Sequence, residues 1–323
     1  MRSLITIIWF LTLLLYCDYI FDFKNIYDII LIEYESTHIM ENFQDTLYSR
    51  PLFAENEVIL LTDAYSKLGK GILYHLLSLN CYLILTVNST FLEDIKTESQ
   101  KRYDILAKVT LYPTNLNSLS SVNEFVKFLE KESIKIDYLI NSPNIVFLTN
   151  DYTIDGFEET IAANFIIPAH LTLSLCEKQI LNDNTKITFI GSEIHRSASP
   201  LDKNKDKYFT FNNSLMNYWQ NYQRSKLSLI TWIHELNRRY NSKYKIRCIC
   251  YGYIDFNFNI ISNFFQVDYS KKALPILWIT FMEHRRNVNW FLHEPLLASE
   301  NSRDLQNGKW IWESLQEVRK INR

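Results

Sequence analysis

Short apolar runs alternate with amphipathic segments along most of the chain, from residue 55 onward. Runs such as EVILLT and CYLILTV have the length and apolar content of parallel strands that are buried on both faces of a sheet. The segments between these runs repeat their apolar positions at helical spacing. The pattern predicts six strands at 57–62, 81–87, 105–112, 137–141, 186–191 and 245–251, with helices at 69–79, 92–102, 120–131, 156–179 and 216–240.

This alternation predicts an α/β fold, a doubly wound parallel sheet of Rossmann-like type that forms one domain over residues 55–323. In such a sheet the crossovers are right-handed, and a ligand lies outside the carboxyl ends of the strands. After the sixth strand the pattern predicts helices at 271–285 and 305–318 and a short strand at 289–293. We expect this C-terminal part to close over a substrate as a flap rather than to form a second domain.

The first 23 residues have a different character. Residues 3–17 carry no charge, and as a helix they would rise about 22 Å, short of the roughly 30 Å hydrocarbon core of a bilayer. Extension to Phe23 would span it, so we expect 1–23 to be a retained hydrophobic anchor, followed by a linker at 24–54. No A-x-A-like cleavage site follows, but a signal peptide and a buried helix stay open as alternatives. The expected membrane is the endoplasmic reticulum, with the side of the membrane left open.

Composition narrows the class of protein. Hydrophobic residues make up 47% and charged residues 22% of the chain, which permits a sizeable core and excludes global disorder. The net charge of −2 and the lack of a basic stripe give no indication of a nucleic-acid partner. Five cysteines form no C-x-x-C pair, and Cys248 and Cys250 fall on one face of a strand, which predicts reduced, buried thiols. No histidine spacing predicts a metal site.

Four polar side chains carry the candidate chemistry. Tyr222 and Lys226 lie four residues apart, on the same face of a helix. An ammonium group near a tyrosine hydroxyl favours the phenolate and lowers the pKa of that tyrosine from about 10, so Tyr222 can exchange a proton with a substrate oxygen. Ser192, directly after the fifth strand, can hydrogen-bond the same oxygen, and Asn164 can hold a water that relays protons to Lys226. The Y-x-x-x-K pattern alone is a common chance match.

The order of these groups along the chain resembles the short-chain dehydrogenase/reductase family. The resemblance rests on T-x6-G after the first strand, N-S-P-N after the fourth, Asn164, G-S after the fifth, and YQRSK around Tyr222. The blocks GFEETIAANF and IGSEIH, and the long stretch between Ser192 and Tyr222, are similar to the retinol-dehydrogenase-like branch, and most of all to the X-linked dehydrogenase/reductase type. The resemblance implies a catalytic tetrad of Asn164, Ser192, Tyr222 and Lys226 and an NAD or NADP cofactor whose nicotinamide ribose Lys226 would also hold.

The cofactor loop departs from the family pattern. The T-G-x-x-x-G-x-G of the family becomes Thr62 to Gly69, with Asp63 and Lys67 in place of the first two glycines. Those glycines allow a tight turn and a close approach of the backbone to the pyrophosphate. Asp63 brings a negative charge to the place where phosphate should lie, and Lys67 can pair with the phosphate or with Asp63. The expected cost is several kcal/mol, at about 1–3 kcal/mol per strained residue, unless the backbone has adjusted.

Further departures surround the expected cofactor. The N-N-A-G of the family is Asn141-Ser142-Pro143-Asn144, and its Pro-Gly after the sixth strand is Tyr251-Gly252. The acidic residue that would contact adenine is Asn115, followed by Leu116, and Asn88 after the second strand favours neither NAD nor NADP. The resemblance implies cofactor contacts from Thr62, Asp63, Lys67, Leu68, Gly69, Asn88, Asn115, Leu116, Asn141, Tyr222, Lys226 and Gly252.

Two hypotheses of function follow from an intact tetrad beside an altered loop. The first is a membrane-associated oxidoreductase that interconverts a hydrophobic alcohol (retinoid, steroid or polyprenoid-like) and its aldehyde or ketone; a small polar substrate is the competing class. The alternative is a catalytically degenerate relative with weak or no cofactor binding and a scaffold role. Family members often form homodimers through the two long helices, here 156–179 and 216–240. Apolar residues that can line a lipid-sized pocket follow the sixth strand: Phe256, Phe258, Ile260, Ile261, Phe264 and Phe265.

Overall fold

The computed structural model describes most of the predicted body of the protein. The expected anchor at 1–23 and nearly all of the linker lie outside the described residues. Of residues 253–267, which follow the sixth strand and contain the apolar residues named above, only 255 and 256 are among the described residues. The described residues are 54–100, 105–147, 151–203, 218–252, 255–256, 268–282, 288–292 and 294–321.

The strands of the described residues include seven that were predicted, counting the short strand predicted at 289–293, and three more. The bounds of the predicted strands agree within a few residues, except that the fifth begins five residues earlier than expected. The strands are β1 (Val58–Leu61), β2 (Tyr82–Val87), β3 (Lys108–Pro113), β4 (Ile136–Asn141), β5 (Ile145–Val146), β6 (Leu181–Ile190), β7 (Lys245–Cys250), β8 (Asp255–Phe256), β9 (Asn289–Phe291) and β10 (Glu294–Pro295).

Among the described residues, eight of these strands form one sheet in the order β10-β9-β7-β6-β4-β1-β2-β3. All pairs in it are parallel except that between β10 and β9. The strand order reverses between β1 and β4, which makes the carboxyl ends of these two strands the place where a ligand of such a sheet binds. The predicted Rossmann-like parallel sheet is thereby confirmed.

The helices occupy both faces of the sheet, as predicted. The one predicted at 271–285 ends at Phe281, where the guanidinium of Arg247 donates to the carbonyls of Ile279, Thr280 and Met282 and so satisfies the last turn. The helices are α1 (Lys67–Leu76), α2 (Leu92–Gln100), α3 (Leu119–Lys131), α4 (Glu159–Glu177), α5 (Tyr218–Tyr240), α6 (Tyr269–Phe281), α7 (Glu300–Arg303) and α8 (Leu305–Ile321).

Alternate residues of the strands feed two apolar layers. In β1, Leu60 belongs to the layer formed with α3, α4, α5 and α8, whereas Ile59 and Leu61 belong to the layer formed with α1 and α6. This two-sided burial explains why the strands are continuous apolar runs. Cys248 and Cys250 are buried free thiols on β7, as predicted.

Helix α4 is unusually apolar because it lies inside the fold. It is long and apolar enough to cross a bilayer, yet 94% of its most apolar window is buried by the rest of the protein. It contains a π-helical turn at Ala162–Ile166.

Helix α8 covers the outer side of α4 and α5. Its Arg319 donates to the carboxylate of Glu177 on α4 at 2.7 and 2.8 Å, and its Trp312 stacks on Trp232 of α5 with 6.3 Å between ring centroids. Most residues of the two long helices are buried within one chain. A homodimer through these helices, expected from the resemblance, stays a prediction that requires α8 to leave this position.

Candidate active site

The loop between β1 and α1 keeps a left-handed turn at its altered first glycine position. Asp63 has a φ of 54°, a region that Asp and Asn tolerate better than other side chains, and its N–H donates to the Thr86 hydroxyl at 3.2 Å. Ser66 caps α1 by accepting from the Gly69 N–H at 3.0 Å and donating to the Asp63 carbonyl. A Cβ on Gly69 would lie 2.1 Å from that carbonyl, so the retained glycine is required by the turn itself.

Asp63 and Lys67, the side chains in place of the first two family glycines, make different contacts. The carboxylate of Asp63 accepts a hydrogen bond from the Tyr65 hydroxyl, and burial together with this negative charge raises the pKa of Tyr65. The Tyr65 ring stacks on Phe91 with 4.9 Å between centroids. The ammonium of Lys67 lies 5.9 Å from the ring centroid of Tyr269.

A cavity of about 430 Å³ lies in front of the N-terminus of α1, at the carboxyl ends of β1 and β4. Its volume is in the range of small-molecule and cofactor sites. Five of the predicted cofactor residues line it, together with ten that the sequence argument did not select. The lining residues are Asp63, Tyr65, Ser66, Lys67, Leu68, Asn88, Phe91, Leu116, Asn117, Ser142, Pro143, Asn144, Ile145, Phe147 and Ala163.

Several predicted cofactor residues do not line this cavity. Thr62 accepts from the Ser142 N–H at 3.2 Å and so ties β1 to the loop after β4. Asn115 is exposed, and its side-chain oxygen accepts from the Asn117 N–H at 2.9 Å, so it shapes the turn that presents its neighbours to the cavity. The amide of Asn141 donates to Thr172 of α4 at 3.3 Å. Gly69 lies beneath the Asp63 carbonyl, and Gly252 has a φ of 73°.

Asn164 lies in the π-helical turn of α4 and holds the loop after β4. Its Oδ1 accepts from the Ile145 N–H at 3.0 Å, and its Nδ2 donates to the Ile145 carbonyl at 2.7 Å and to Ser225 of α5 at 3.2 Å. Both hydrogens of the amide are therefore used within the protein. Asn164 thereby positions Ile145 and Ser225, and a relay water held at Asn164 stays a prediction.

Lys226 is fully buried between the ends of two strands. Its ammonium donates to the carbonyls of Ile190 at 2.9 Å and Pro143 at 3.4 Å, and it lies 5.7 Å from the ring centroid of Tyr222. Burial lowers the pKa of Lys226 to about 7, and the neighbouring Cys248 and Cys250 moderate that shift.

Ser192 lies two residues after the end of β6 and caps the 3-10 turn at Glu193–Ser197. This turn packs against α5, the helix of Tyr222. The Ser192 carbonyl accepts from Nδ1 of His195 at 2.7 Å, while Nε2 of the same ring accepts from the Ser299 N–H at 3.2 Å. Burial lowers the pKa of His195 to about 4, so at neutral pH the ring is uncharged and links the Ser192 loop to the C-terminal segment.

The hydroxyl of Tyr222 is engaged by the loop after β4. It donates to Oδ1 of Asn144 at 3.0 Å, and Nδ2 of Asn144 donates to the Tyr251 hydroxyl at 3.1 Å. All three side chains are buried, with Tyr222 and Tyr251 at 0% and Asn144 at 5% exposure. Asn144 lines the cavity and Tyr222 does not, so Asn144 stands between the two.

Several curated proteins that are similar to this chain in sequence are named as oxidoreductases or dehydrogenases. The WW domain-containing oxidoreductase of Drosophila melanogaster is 26% identical over 188 residues, covering 57% of this chain and 45% of that protein. The short-chain dehydrogenase/reductase prx1 of Penicillium rubens is 25% identical over 158 residues (46% and 44%), and human polyprenol dehydrogenase is 23% identical over 187 residues (57% and 55%). The chain is related to the short-chain dehydrogenase/reductases. It spans about half the length of the curated relatives it matches, and no family model matches it.

Solved structures share the fold of this chain. An uncharacterised protein from Mycobacterium paratuberculosis superposes with a TM-score of 0.65 at 21% identity, covering 85% of this chain and 97% of that one. A short-chain dehydrogenase from Burkholderia cenocepacia, solved in complex with NADP, superposes with a TM-score of 0.52 at 13% identity (73% and 96%).

A nicotinamide dinucleotide, the cofactor type of short-chain dehydrogenase/reductases, fits one part of this site. The cavity over the N-terminus of α1 can hold the adenosine and phosphate portion, because backbone N–H groups at a helix N-terminus favour phosphate. The nicotinamide end would have to reach the Tyr222 hydroxyl, which is occupied by Asn144, itself bonded to Tyr251. The residues present therefore fit the adenosine end and, in this arrangement, not the nicotinamide end.

Five of the ten lining residues that the sequence argument did not select fall in two groups. Ser142, Pro143 and Asn144 belong to the segment recognised as a departure from the family pattern, so that departure already marked the place. Tyr65 and Phe91 come from separate loops and meet only by ring stacking, for which spacing along one chain carries no indication.

Proposed function

We propose that the protein is an NAD(P)-dependent oxidoreductase of the short-chain dehydrogenase/reductase type that interconverts a hydrophobic alcohol and its aldehyde or ketone. The observation that carries the proposal is the network around Lys226, which joins Tyr222, the end of β6 before Ser192 and the loop held by Asn164. This network supports the proposal because it links Lys226 and Tyr222 to the segments that carry Ser192 and Asn164, which lie up to 62 residues away in sequence. The names of the curated relatives support the same reaction class.

In this proposal the four residues have separate roles. Tyr222 exchanges a proton with the substrate oxygen, and Ser192 hydrogen-bonds that oxygen and orients it. Lys226 supplies a positive charge beside the Tyr222 ring, which favours loss of the hydroxyl proton when the ammonium is charged. Asn164 fixes the backbone at Ile145 and thereby the wall of the site. The nicotinamide cofactor would supply or accept the hydride.

The adenosine end of the cofactor would lie in the cavity against Leu68, Leu116 and the Tyr65–Phe91 pair. Asn88 stands at the rim after β2, where its Oδ1 accepts from the N–H and the hydroxyl of Thr90 at 3.1 and 3.0 Å. It offers neither a carboxylate for a ribose hydroxyl nor a cation for a 2′-phosphate. The choice between NAD and NADP is therefore left to measurement.

The proposed substrate is a lipid-like alcohol such as a retinoid, a steroid or a polyprenoid, at a membrane that we propose to be the endoplasmic reticulum. Support comes from the uncharged run at 3–17, from the sequence similarity to the retinol-dehydrogenase-like branch, and from a relative named polyprenol dehydrogenase. The proposed anchor at 1–23 would keep the active site close to substrates dissolved in the bilayer.

The first test is titration of the full chain, purified in detergent, with NADH and NADPH, together with an Asp63→Gly/Lys67→Gly variant that restores the family glycines. Binding by the natural chain supports the proposal and gives the cofactor preference. Absence of binding to both chains would overturn it and favour the scaffold alternative. Binding to the variant alone would mean that the loop has lost its ligand.

The second test is turnover of retinol, a steroid alcohol and a polyprenol in detergent micelles. Tyr222→Phe should bind nucleotide at least as tightly as the natural chain and lose turnover by about 10²-fold or more, the scale of a general acid–base contribution. Turnover of small polar alcohols alone, without dependence on the micelle, would contradict the substrate class while leaving the reaction type intact.

A further inference from the structure

Asn144 is the residue that separates the cavity from the proposed catalytic tyrosine. One side of its amide group faces the Tyr222 hydroxyl at 3.0 Å and the other the Tyr251 hydroxyl at 3.1 Å. It also contributes to the lining of the cavity, which Tyr222, Lys226 and Ser192 do not. Asn144 is therefore the residue in contact with Tyr222 that also borders this cavity.

The backbone on both sides of Asn144 is held in place. Pro143 accepts from Lys226 through its carbonyl, and Ile145 exchanges two hydrogen bonds with Asn164. Ile145 also pairs with Asp255 in the small parallel sheet of β5 and β8, which joins the loop after β4 to the loop after β7. With the backbone fixed, the Asn144 side chain is the part that can move, by rotation about its own torsions.

The hydrogen bonds of Asn144 also affect the chemistry of Tyr222. A hydroxyl that donates to a neutral amide oxygen is held in its protonated form and has no proton donor capacity left for a substrate oxygen. The position of Asn144 is occupied by glycine in the pattern that the chain otherwise resembles, and the position of Tyr251 by proline. The two replacements contact each other, and Asn144 also contacts the proposed catalytic tyrosine, so the three side chains form one hydrogen-bonded chain.

We propose that Asn144, anchored by Tyr251, is a gate at the nicotinamide end of the cofactor site. With the gate closed, the cleft accepts the adenosine diphosphate portion of a dinucleotide and excludes the nicotinamide from Tyr222. Productive binding requires Asn144 to leave both hydroxyls, so the affinity for the whole dinucleotide is reduced by the cost of opening. This inference rests on the proposed function, because it concerns the same site.

The experiment compares ADP, which lacks the nicotinamide portion, with NADH and NADPH on the full chain in detergent by isothermal titration calorimetry. The natural chain should bind ADP and the better dinucleotide within about threefold of each other. Asn144→Gly should bind that dinucleotide about tenfold tighter, the equivalent of the two buried hydrogen bonds that opening would otherwise break, with ADP affinity unchanged.

Two further variants keep the result interpretable. Asn184→Gly makes the same chemical change at an exposed residue with a φ of 68°, near the amino end of β6, and should leave both affinities unchanged. Tyr251→Phe removes only the hydroxyl that anchors Asn144 and should increase dinucleotide affinity by a smaller factor, even if Asn144→Gly fails to fold.

The possible outcomes of this experiment distinguish failure of the proposed gate from failure of the proposed function. If the natural chain binds a dinucleotide at least tenfold tighter than ADP, and neither Asn144→Gly nor Tyr251→Phe changes this ratio, the gate is wrong and the proposed function stands. If no chain binds any of the three nucleotides, the proposed function fails and the gate fails with it. A gain for both ADP and dinucleotide would also overturn the gate, because the effect would then lie in the adenosine end.

Discussion

The ammonium nitrogen of Lys226 lies 2.9 Å from the carbonyl oxygen of Ile190, at the point where the central strand β6 ends. The side chain is fully buried, and two backbone carbonyls replace only part of its hydration. Burial lowers the pKa of Lys226 to about 7. The residue is thus poised to change charge near neutral pH, directly beside the ring of Tyr222.

This lowered pKa predicts a pH dependence of stability. Above pH 7 the unfolded chain binds a proton at Lys226 that the folded chain has released, so the free energy of unfolding should rise with pH. The contribution is at most about 1.4 kcal/mol per pH unit between pH 7 and roughly 8.5. Urea unfolding should show this rise in the natural chain and in Lys131→Met, an exposed control, but not in Lys226→Met. Parallel curves for all three proteins would contradict the assignment.

Asp63 should weaken phosphate binding through its charge rather than its shape. Asn tolerates the left-handed backbone at this position as well as Asp does, so Asp63→Asn removes the charge and keeps the turn. We expect about tenfold tighter binding of ADP, the scale of one like charge near a phosphate at a protein surface, and a smaller gain at high salt. Titrations at two salt concentrations check this. An unchanged affinity would mean that Asp63 lies too far from the phosphates to act on them.

Gly69 should be intolerant of even one methyl group. Gly69→Ala places a Cβ 2.1 Å from the Asp63 carbonyl, and because that carbonyl belongs to a turn fixed by Ser66, relief requires a backbone shift. We expect a loss of roughly 2–4 kcal/mol in the free energy of unfolding and loss of nucleotide binding. Tyr74→Ala, on the exposed side of α1, is the control and should change stability by less than about 1 kcal/mol. A stable Gly69→Ala protein would show that the turn can relax.

Arg319 should be a main determinant of how α8 is held. Its guanidinium is 2% exposed and donates to Glu177, to His170 at 3.1 Å and to Ser174 at 3.3 Å. Arg319→Met leaves the His170 acceptor unpaired, so we expect about 2–4 kcal/mol lower stability.

The neighbouring Lys320→Met, at an exposed position, should have little effect on thermal unfolding. If α8 keeps α4 and α5 covered, sedimentation of the natural chain should show no dimer formed through these helices. Arg319→Met, which loosens α8, should increase self-association in the same experiment. A natural chain that dimerises with α8 in place would contradict this account.

Much of the fold followed from local patterns. The apolar runs predicted the strands of the parallel sheet because strands buried on both faces cannot include many polar residues. The spacing of Tyr222 and Lys226 placed them on one helix face, and the structure has both on α5. The strand pair β5 and β8 was not predicted, because two residues are too few to show a period and the pairing partner lies more than 100 residues away.

The sequence by itself determined the α/β class, the order of its elements, and the identity of the four candidate catalytic residues, because periodicity and short motifs are properties of neighbouring residues. Only the tertiary structure decided what those residues touch. It brought Asn144 to the Tyr222 hydroxyl and Tyr251, 107 residues further along the chain, to Asn144, and it paired the Asn164 side chain with the backbone of Ile145. Such contacts depend on how loops at the carboxyl edge of the sheet close on one another, and that closure is set by packing and hydrogen-bond satisfaction over the whole domain.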